Sequence, residues 1–338
     1  MVCGTVSVKD ESIGQERHAR RQAAREVSEL LAAAKSGDRG ALARLLTMVE
    51  RGGHDAARVG RYVFPLTGTA YTVGITGAPG AGKSTLTSAL VGVVRSRGLS
   101  VGVLAVDPTS PFSGGAILGD RIRMGEHALD QGVFIRSMAT RGHLGGLSLA
   151  TPQAVRVLDA AGCDVVFVET VGVGQVEVEV VSATDTTVVV LNPGWGDAVQ
   201  ANKAGLMEIA DVFVINKSDR PGVDETRRDL EQMLDLAGER EWRPPIVLTV
   251  AHRGEGVEEL WERIEEHRRW QESNGRLARR RAERLRGEVD RMIAERLREM
   301  AESLARAKPE IRAAVERGEL DPWTAVDALL ADGDAPAH

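Results

Sequence analysis

Eight consecutive residues, Gly77-Ala78-Pro79-Gly80-Ala81-Gly82-Lys83-Ser84, carry the spacing G-x-x-x-x-G-K-S, and Thr85 continues them into an apolar, helix-forming run. The stretch YTVGIT directly before them reads as a strand, which gives the strand, loop and helix order that a phosphate-binding loop needs. Glycines let successive backbone N–H groups turn toward a polyphosphate at a helix N-terminus. Lys83 would neutralise β and γ oxygens, and the Ser84 hydroxyl can ligate Mg²⁺. The expected nucleotide contacts are Gly77, Gly80, Ala81, Gly82, Lys83, Ser84 and Thr85. A plain glycine turn is the bland alternative, and the strand leading into the loop argues against it.

Phosphate chemistry alone does not name a base. A second apolar run, DVFVINK, ends in Asn216-Lys217-Ser218-Asp219, at the carboxyl end of a strand, where ligands of α/β sheets bind. A carboxylate there accepts from both N1–H and the exocyclic amine of guanine, whereas adenine offers no such donor pair and would leave Asp219 unpaired. GTP rather than ATP is expected. Position 78 is Ala, where the dimer-sandwich partition ATPases built on a similar sheet carry a second Lys, and that reading is disfavoured.

Three acids follow apolar runs or glycine-rich loops: Asp107 after VGVLAV, Asp120 in LGDR, and Glu169 after VVFV. Mg²⁺ takes one or two carboxylates with phosphate oxygens and water, so these acids and Ser84 are the expected metal set. Any one of them alone could be a turn or cap residue. Gly172 can bring a backbone N–H to the γ-phosphate, which makes the segment after Glu169 a natural switch. Val173 follows where Ras-like GTPases carry a water-orienting Gln nearby, so intrinsic hydrolysis should be slow, about 10⁻⁴ to 10⁻² per second. Gln175 is the substitute expected to orient water. The catalytic set is therefore Lys83, Glu169, Gly172 and Gln175. Two further loops after strands, one holding Arg141 and one running from Gly194 to Gly205, are either part of the machinery or ordinary connections.

Positioning these residues requires a parallel sheet. From Tyr71 to Val250 seven short β-branched runs alternate with helical stretches, which implies a mostly parallel α/β sheet covered by helices on both faces. Before it, Val27, Leu30, Leu31 and Ala34 have helical spacing, with a Ser36-Gly37-Asp38 break. After it, Leu285, Val289, Met292, Leu297, Met300 and Leu304 form a stripe that needs a partner, and Pro309 and Asp321-Pro322 mark later helix boundaries. The expected division is 1–66 as a helical N-terminal extension, 67–268 as the nucleotide domain, and 269–338 as a helical C-terminal arm and tail.

Composition narrows the class further. The 338 residues hold 43 Lys and Arg against 49 Asp and Glu, a net charge of −6, which offers no global attraction to nucleic acid or an anionic membrane. Cys3 and Cys163 are isolated, which fits neither a disulfide framework nor a cysteine zinc site. No apolar run approaches about 18 residues, and charges interrupt the N-terminus, so a cytoplasmic protein is expected.

With GAPGAGKST, AVDPTSPFSGGAILGDRIRM, FIRSMATRGHLGG, VETVGVGQVE, QANKAGLMEIAD and VINKSD in that family's order, the chain from about Gly37 to Trp261 resembles the MeaB/ArgK GTPases, relatives of the methylmalonic aciduria type A protein. The resemblance implies GTP hydrolysis by a chaperone that gates adenosylcobalamin loading and protects or reactivates a cobalamin-dependent acyl-CoA mutase, usually methylmalonyl-CoA mutase. It places the phosphate and Mg²⁺ roles on Lys83, Ser84, Asp107, Asp120 and Glu169, and the guanine role on Asn216, Lys217 and Asp219. It also implies a mutase-sensing loop at about 193–205 and a homodimer through C-terminal helices, with the mutase a separate chain. One departure is Thr249-Val250-Ala251, where many GTPases carry Ser-Ala; Ala251 could still offer its N–H to guanine O6.

Two other functions share parts of this pattern. A metal-insertion GTPase of the hydrogenase or urease accessory type shares the sheet and base motif, but the histidines are scattered. An ATPase or kinase serving arginine and ornithine transport conflicts with Asn216 to Asp219.

Overall fold

The computed structural model describes residues 24–107, 125–127, 129–139, 146–170, 183–194, 208–236, 238 and 240–331. Among the described residues three helices come first: α1 (24–35), α2 (Arg39–Arg51) and α3 (Gly53–Val63). Asp38 caps α2 by accepting from the Gly40 and Ala41 N–H groups at 2.8 and 3.0 Å, so the polar break read in the sequence is a helix start. Then follow β1 (Tyr71–Gly77), α4 (Lys83–Ser96), β2 (Val101–Asp107), β3 (Val133–Ala139), α5 (Gly146–Ala161), β4 (Val165–Thr170), β5 (Thr186–Leu191), β6 (Val212–Asn216), α6 (Val223–Leu236), β7 (Ile246–Thr249) and α7 (Val257–Ser273). The long α8 (Arg276–Ala307) leads to α9 (Pro309–Glu316) and α10 (Pro322–Leu330).

The seven strands among the described residues form one sheet in the order β3-β2-β4-β1-β5-β6-β7, and each pairing between them is parallel. The phosphate-loop strand β1 lies at its centre, between β4 and β5. Every residue of β1, β4, β5 and β6 is buried, as a sheet covered on both faces demands. Alternation along a strand divides the core: Val165 and Phe167 of β4 pack with Leu86, Leu90, Leu260 and Trp261 of α4 and α7. Val166 and Val168 point the other way, onto Leu45, Leu46, Val59 and Leu158 of α2, α3 and α5.

The N-terminal helices thus cover one face of the sheet. Val27 and Leu31 of α1 join the same buried cluster, and Arg136 of β3 reaches Glu50 of α2 at 2.5 Å. Aromatics are only 4% of the chain, so aliphatic side chains carry this core, with one edge-to-face pair, Phe167 on Trp261 at 6.3 Å.

At the amino ends of the strands, opposite the phosphate loop, a buried polar network holds α7 and the start of α8. Asp185, fully buried, accepts from Arg281 at 2.7 Å, Arg284 at 2.6 Å and the Thr72 N–H at 3.0 Å. Burial alone would raise its pKa; the Arg281 hydrogen bond and the Arg284 and Arg281 charges outweigh that and hold it down to about 2. His267 meets Thr186 Oγ1 at 2.8 Å, and burial pushes its imidazole down to about 4. Arg280 pairs with Asp211 at 3.0 Å.

One compact unit closes at Arg284, and a second begins at Leu285. Helix α7 runs through the expected boundary at 268 and buries Trp261, Ile264, His267 and Gln271 in the first unit. In the second unit, α8 ends one residue before Lys308 and Pro309 opens α9, as the proline predicts. Its Leu285, Val289, Met292, Leu297 and Met300 are 40–59% exposed. Among the described residues, no helix is long and apolar enough to cross a membrane.

Candidate nucleotide site

The phosphate loop leaves β1 at Gly77 and enters α4 at Lys83, beside β5 and β6. Gly77 has φ 135°, and a Cβ there would collide with the Val190 carbonyl of β5. Gly82 has φ 93° and caps α4 with no side chain; a Cβ there would strike the Asn216 amide. Both positions therefore require glycine. Because no side chain caps this helix, its first-turn N–H groups face the loop, the arrangement that binds anions. Lys83 is buried, and its ammonium donates to the Gly77 and Ala78 carbonyls at 2.8 and 3.1 Å. The cation is thereby held over the loop in which phosphates would sit.

The base motif is joined to this loop by side chains. Asn216, last residue of β6, donates its amide to the Ala81 carbonyl at 2.8 Å, and Lys217 Nζ reaches the Gly80 carbonyl at 2.5 Å. Lys217 is the one non-glycine residue with positive φ among those described, at 58°. Such a conformation is uncommon for a side-chain-bearing residue and persists where surrounding contacts over-determine it. Asn216 Oδ1 in turn accepts from the Thr249 hydroxyl and the Ala251 N–H, each at 3.1 Å. The Ala251 N–H, expected to face guanine O6, is here committed to Asn216. The Thr249 hydroxyl is part of the same knot. Asp219 stands just beyond, its side chain 31% exposed.

The expected metal set is described in part. Glu169, 1% exposed, lies on β4 in register with Ile75 and accepts the Ser84 hydroxyl at 2.5 Å. One residue on, the Thr170 hydroxyl donates to Thr76 of β1 at 3.1 Å, a link the motif reading had not singled out. Asp107 is the final residue of β2, one strand beyond β4. The Asp107 side chain, Asp120, Arg141, Gly172, Gln175 and the 195–205 part of the sensing loop lie outside the described residues.

The chain is similar to known GTPases. The family model described as "Methylmalonyl Co-A mutase-associated GTPase MeaB" matches residues 42–306. A putative GTPase of Pyrococcus horikoshii is 53% identical over 308 residues, covering 90% of this chain and 97% of that protein. The mitochondrial methylmalonic aciduria type A homolog of Mus musculus is 36% identical over 274 residues, 79% of this chain and 65% of that protein. A crystal structure titled as a LAO/AO transport system kinase superposes with a TM-score of 0.66 at 29% identity, covering 90% of this chain and 96% of the other. A P-loop joined to a guanine motif on an all-parallel sheet, in a chain matched over most of its length, makes this protein a GTP hydrolase, and the chain belongs to the MeaB/ArgK family of P-loop GTPases.

Proposed function

We propose that this GTPase acts as a chaperone whose nucleotide cycle gates adenosylcobalamin loading of an acyl-CoA mutase, most directly methylmalonyl-CoA mutase, and protects or reactivates that enzyme. The mutase is a separate polypeptide, and the protein works in the cytoplasm. The observation that carries the reading is the Asn216 bond to Ala81, because it joins base recognition to the phosphate loop in a chain of a mutase-associated family. The printed description of that family and the name of the mouse relative support the client.

In this account Asp219 reads the guanine edge, Asn216 and Lys217 hold the phosphate loop, and Lys83 neutralises the charge that develops on the phosphates. The Ser84 hydroxyl and the buried Glu169 carboxylate are hard oxygen donors beside a phosphate loop and fit Mg²⁺, with Asp107 and Asp120 as further ligands. When bound, the ion would supply positive charge that offsets the charge of the phosphates. The Gly172 N–H meets the γ-phosphate and Gln175 orients water, in the segment that follows Thr170. The loop at 193–205 carries nucleotide state to the mutase. The half-exposed apolar row on α8 supports a homodimer.

The test is binding of the purified mutase to this protein loaded with GDP or with a non-hydrolysable GTP analogue. A mutase affinity that differs between the two nucleotides supports the reading; equal affinities contradict it, because a ligand that does not distinguish two states cannot be gated by them.

A further inference from the structure

Beside the base motif stands a cation for which reading guanine gives no immediate need. Arg253 Nη2 lies 3.8 Å from Asp219 Oδ2, and Arg253 Nη1 lies 3.8 Å from Glu255 Oε1. Both separations exceed hydrogen-bond reach, so the guanidinium acts on Asp219 as a charge and leaves its lone pairs open to other donors. Glu255 on the other arm draws the same guanidinium away from a bidentate closure onto Asp219, which would consume the acceptors a base needs.

The turn that presents Arg253 is closed on itself. Val250 N–H donates to Glu255 O at 3.0 Å, Arg253 N–H to Val250 O at 2.8 Å, and Gly254 N–H to Ala251 O at 3.2 Å. Gly256, with φ 73°, is seated so close to the Leu248 carbonyl that no Cβ would fit, and the Ala251 N–H ties the turn to Asn216. The backbone of this cation is therefore fixed relative to the guanine motif, although the side chain is 55% exposed.

We propose that Arg253 is a positioning residue for guanine specificity: as a charge, shared with Glu255, it holds the Asp219 carboxylate turned toward the two N–H donors of the base edge. This rests on the reading of Asp219 as the guanine acceptor. The sequence offered no signal for it, since an Arg two positions past the expected Ser-Ala site reads as surface charge.

The experiment is titration calorimetry with GDP and XDP on the full chain and on Arg253→Ala, Arg253→Lys, Asp219→Asn and the Asp219→Asn, Arg253→Ala double variant. Arg253→Ala should weaken GDP about two- to five-fold, the range of a half-exposed ion pair, with the loss shrinking as salt is added. Arg253→Lys should restore most of it. In the Asp219→Asn background the same substitution should leave XDP affinity unchanged, because the carboxylate through which Arg253 acts is gone. No GDP loss, or an equal loss in both backgrounds, would overturn the proposal, the second by making Arg253 a direct nucleotide contact. If Asp219→Asn leaves the preference for GDP over XDP intact, the guanine assignment itself fails, which is a separate result.

Discussion

Asn216 at the end of β6 donates its side-chain amide to the Ala81 carbonyl of the phosphate loop, across 135 positions of sequence, at 2.8 Å. The motif proposed to read the base and the phosphate loop are thus one hydrogen-bonded body. Asn216→Ala removes that donor and the acceptor of both Thr249 Oγ1 and the Ala251 N–H, leaving buried groups unpaired at a cost of about 1–3 kcal/mol each. GDP and XDP affinity should fall together, by about 100-fold or more. Calorimetry with both nucleotides checks this; a loss confined to GDP would mean that the residue reads only the base.

Gly82→Ala introduces a Cβ against the Asn216 amide at a backbone angle that alanine rarely adopts. Nucleotide binding should weaken by about 10-fold or more, while thermal stability moves by only a few degrees. A variant that binds GDP as the parent does would show that the loop has room the geometry denies.

Asp219→Asn exchanges an acceptor pair for a mixed donor and acceptor. Selectivity for GTP over XTP should fall by about two to three orders of magnitude, roughly 3 to 4 kcal/mol, read by competition binding. An unchanged preference would remove Asp219 from the guanine site.

Ser84→Ala deletes the hydroxyl that Glu169 accepts at 2.5 Å. The Mg²⁺ concentration needed to slow GDP release should rise by about 10- to 100-fold, measured by release of a fluorescent GDP analogue under chelator titration. Release that depends on Mg²⁺ as in the parent would place the ion on other residues.

The network at the amino ends of the strands makes stability depend on acid. His267 is held neutral, with its pKa lowered to about 4 from 6.5, so the unfolded chain binds the proton more readily. Its contribution is complete above about pH 6.5 and is lost as pH falls toward 4, up to about 3 kcal/mol in size. Asp185, lowered from 3.8 to about 2, adds a second loss, beginning near pH 4 and continuing down to about 2. Urea unfolding at pH 7, 5.5 and 4.5 should show a decline that is shallower in His267→Gln; parallel declines would exclude the imidazole as its source.

Much of this was legible from residue type and spacing. The strands stood out because a sheet buried on both faces needs near-continuous apolar runs, and the phosphate loop because its glycines and Lys83 follow one of them. The spacing of Val27, Leu31 and Ala34 gave a helix but could not name the sheet face it covers, since an apolar stripe does not encode its partner. Arg281 and Arg284 lie in an arginine-rich helix that reads as solvated, and only the fold brings the buried Asp185 to them. The hydroxyls of Thr249 and Thr170 gave no signal either, because their partners come from other strands.

The most direct test of the central claim is the single-turnover GTP hydrolysis rate of this protein, alone and with methylmalonyl-CoA mutase of the same organism in apo and adenosylcobalamin-loaded forms. The account predicts slow hydrolysis alone, about 10⁻⁴ to 10⁻² per second, and an acceleration whose size differs between the two mutase forms. A rate indifferent to the mutase, or changed equally by both forms, would contradict it.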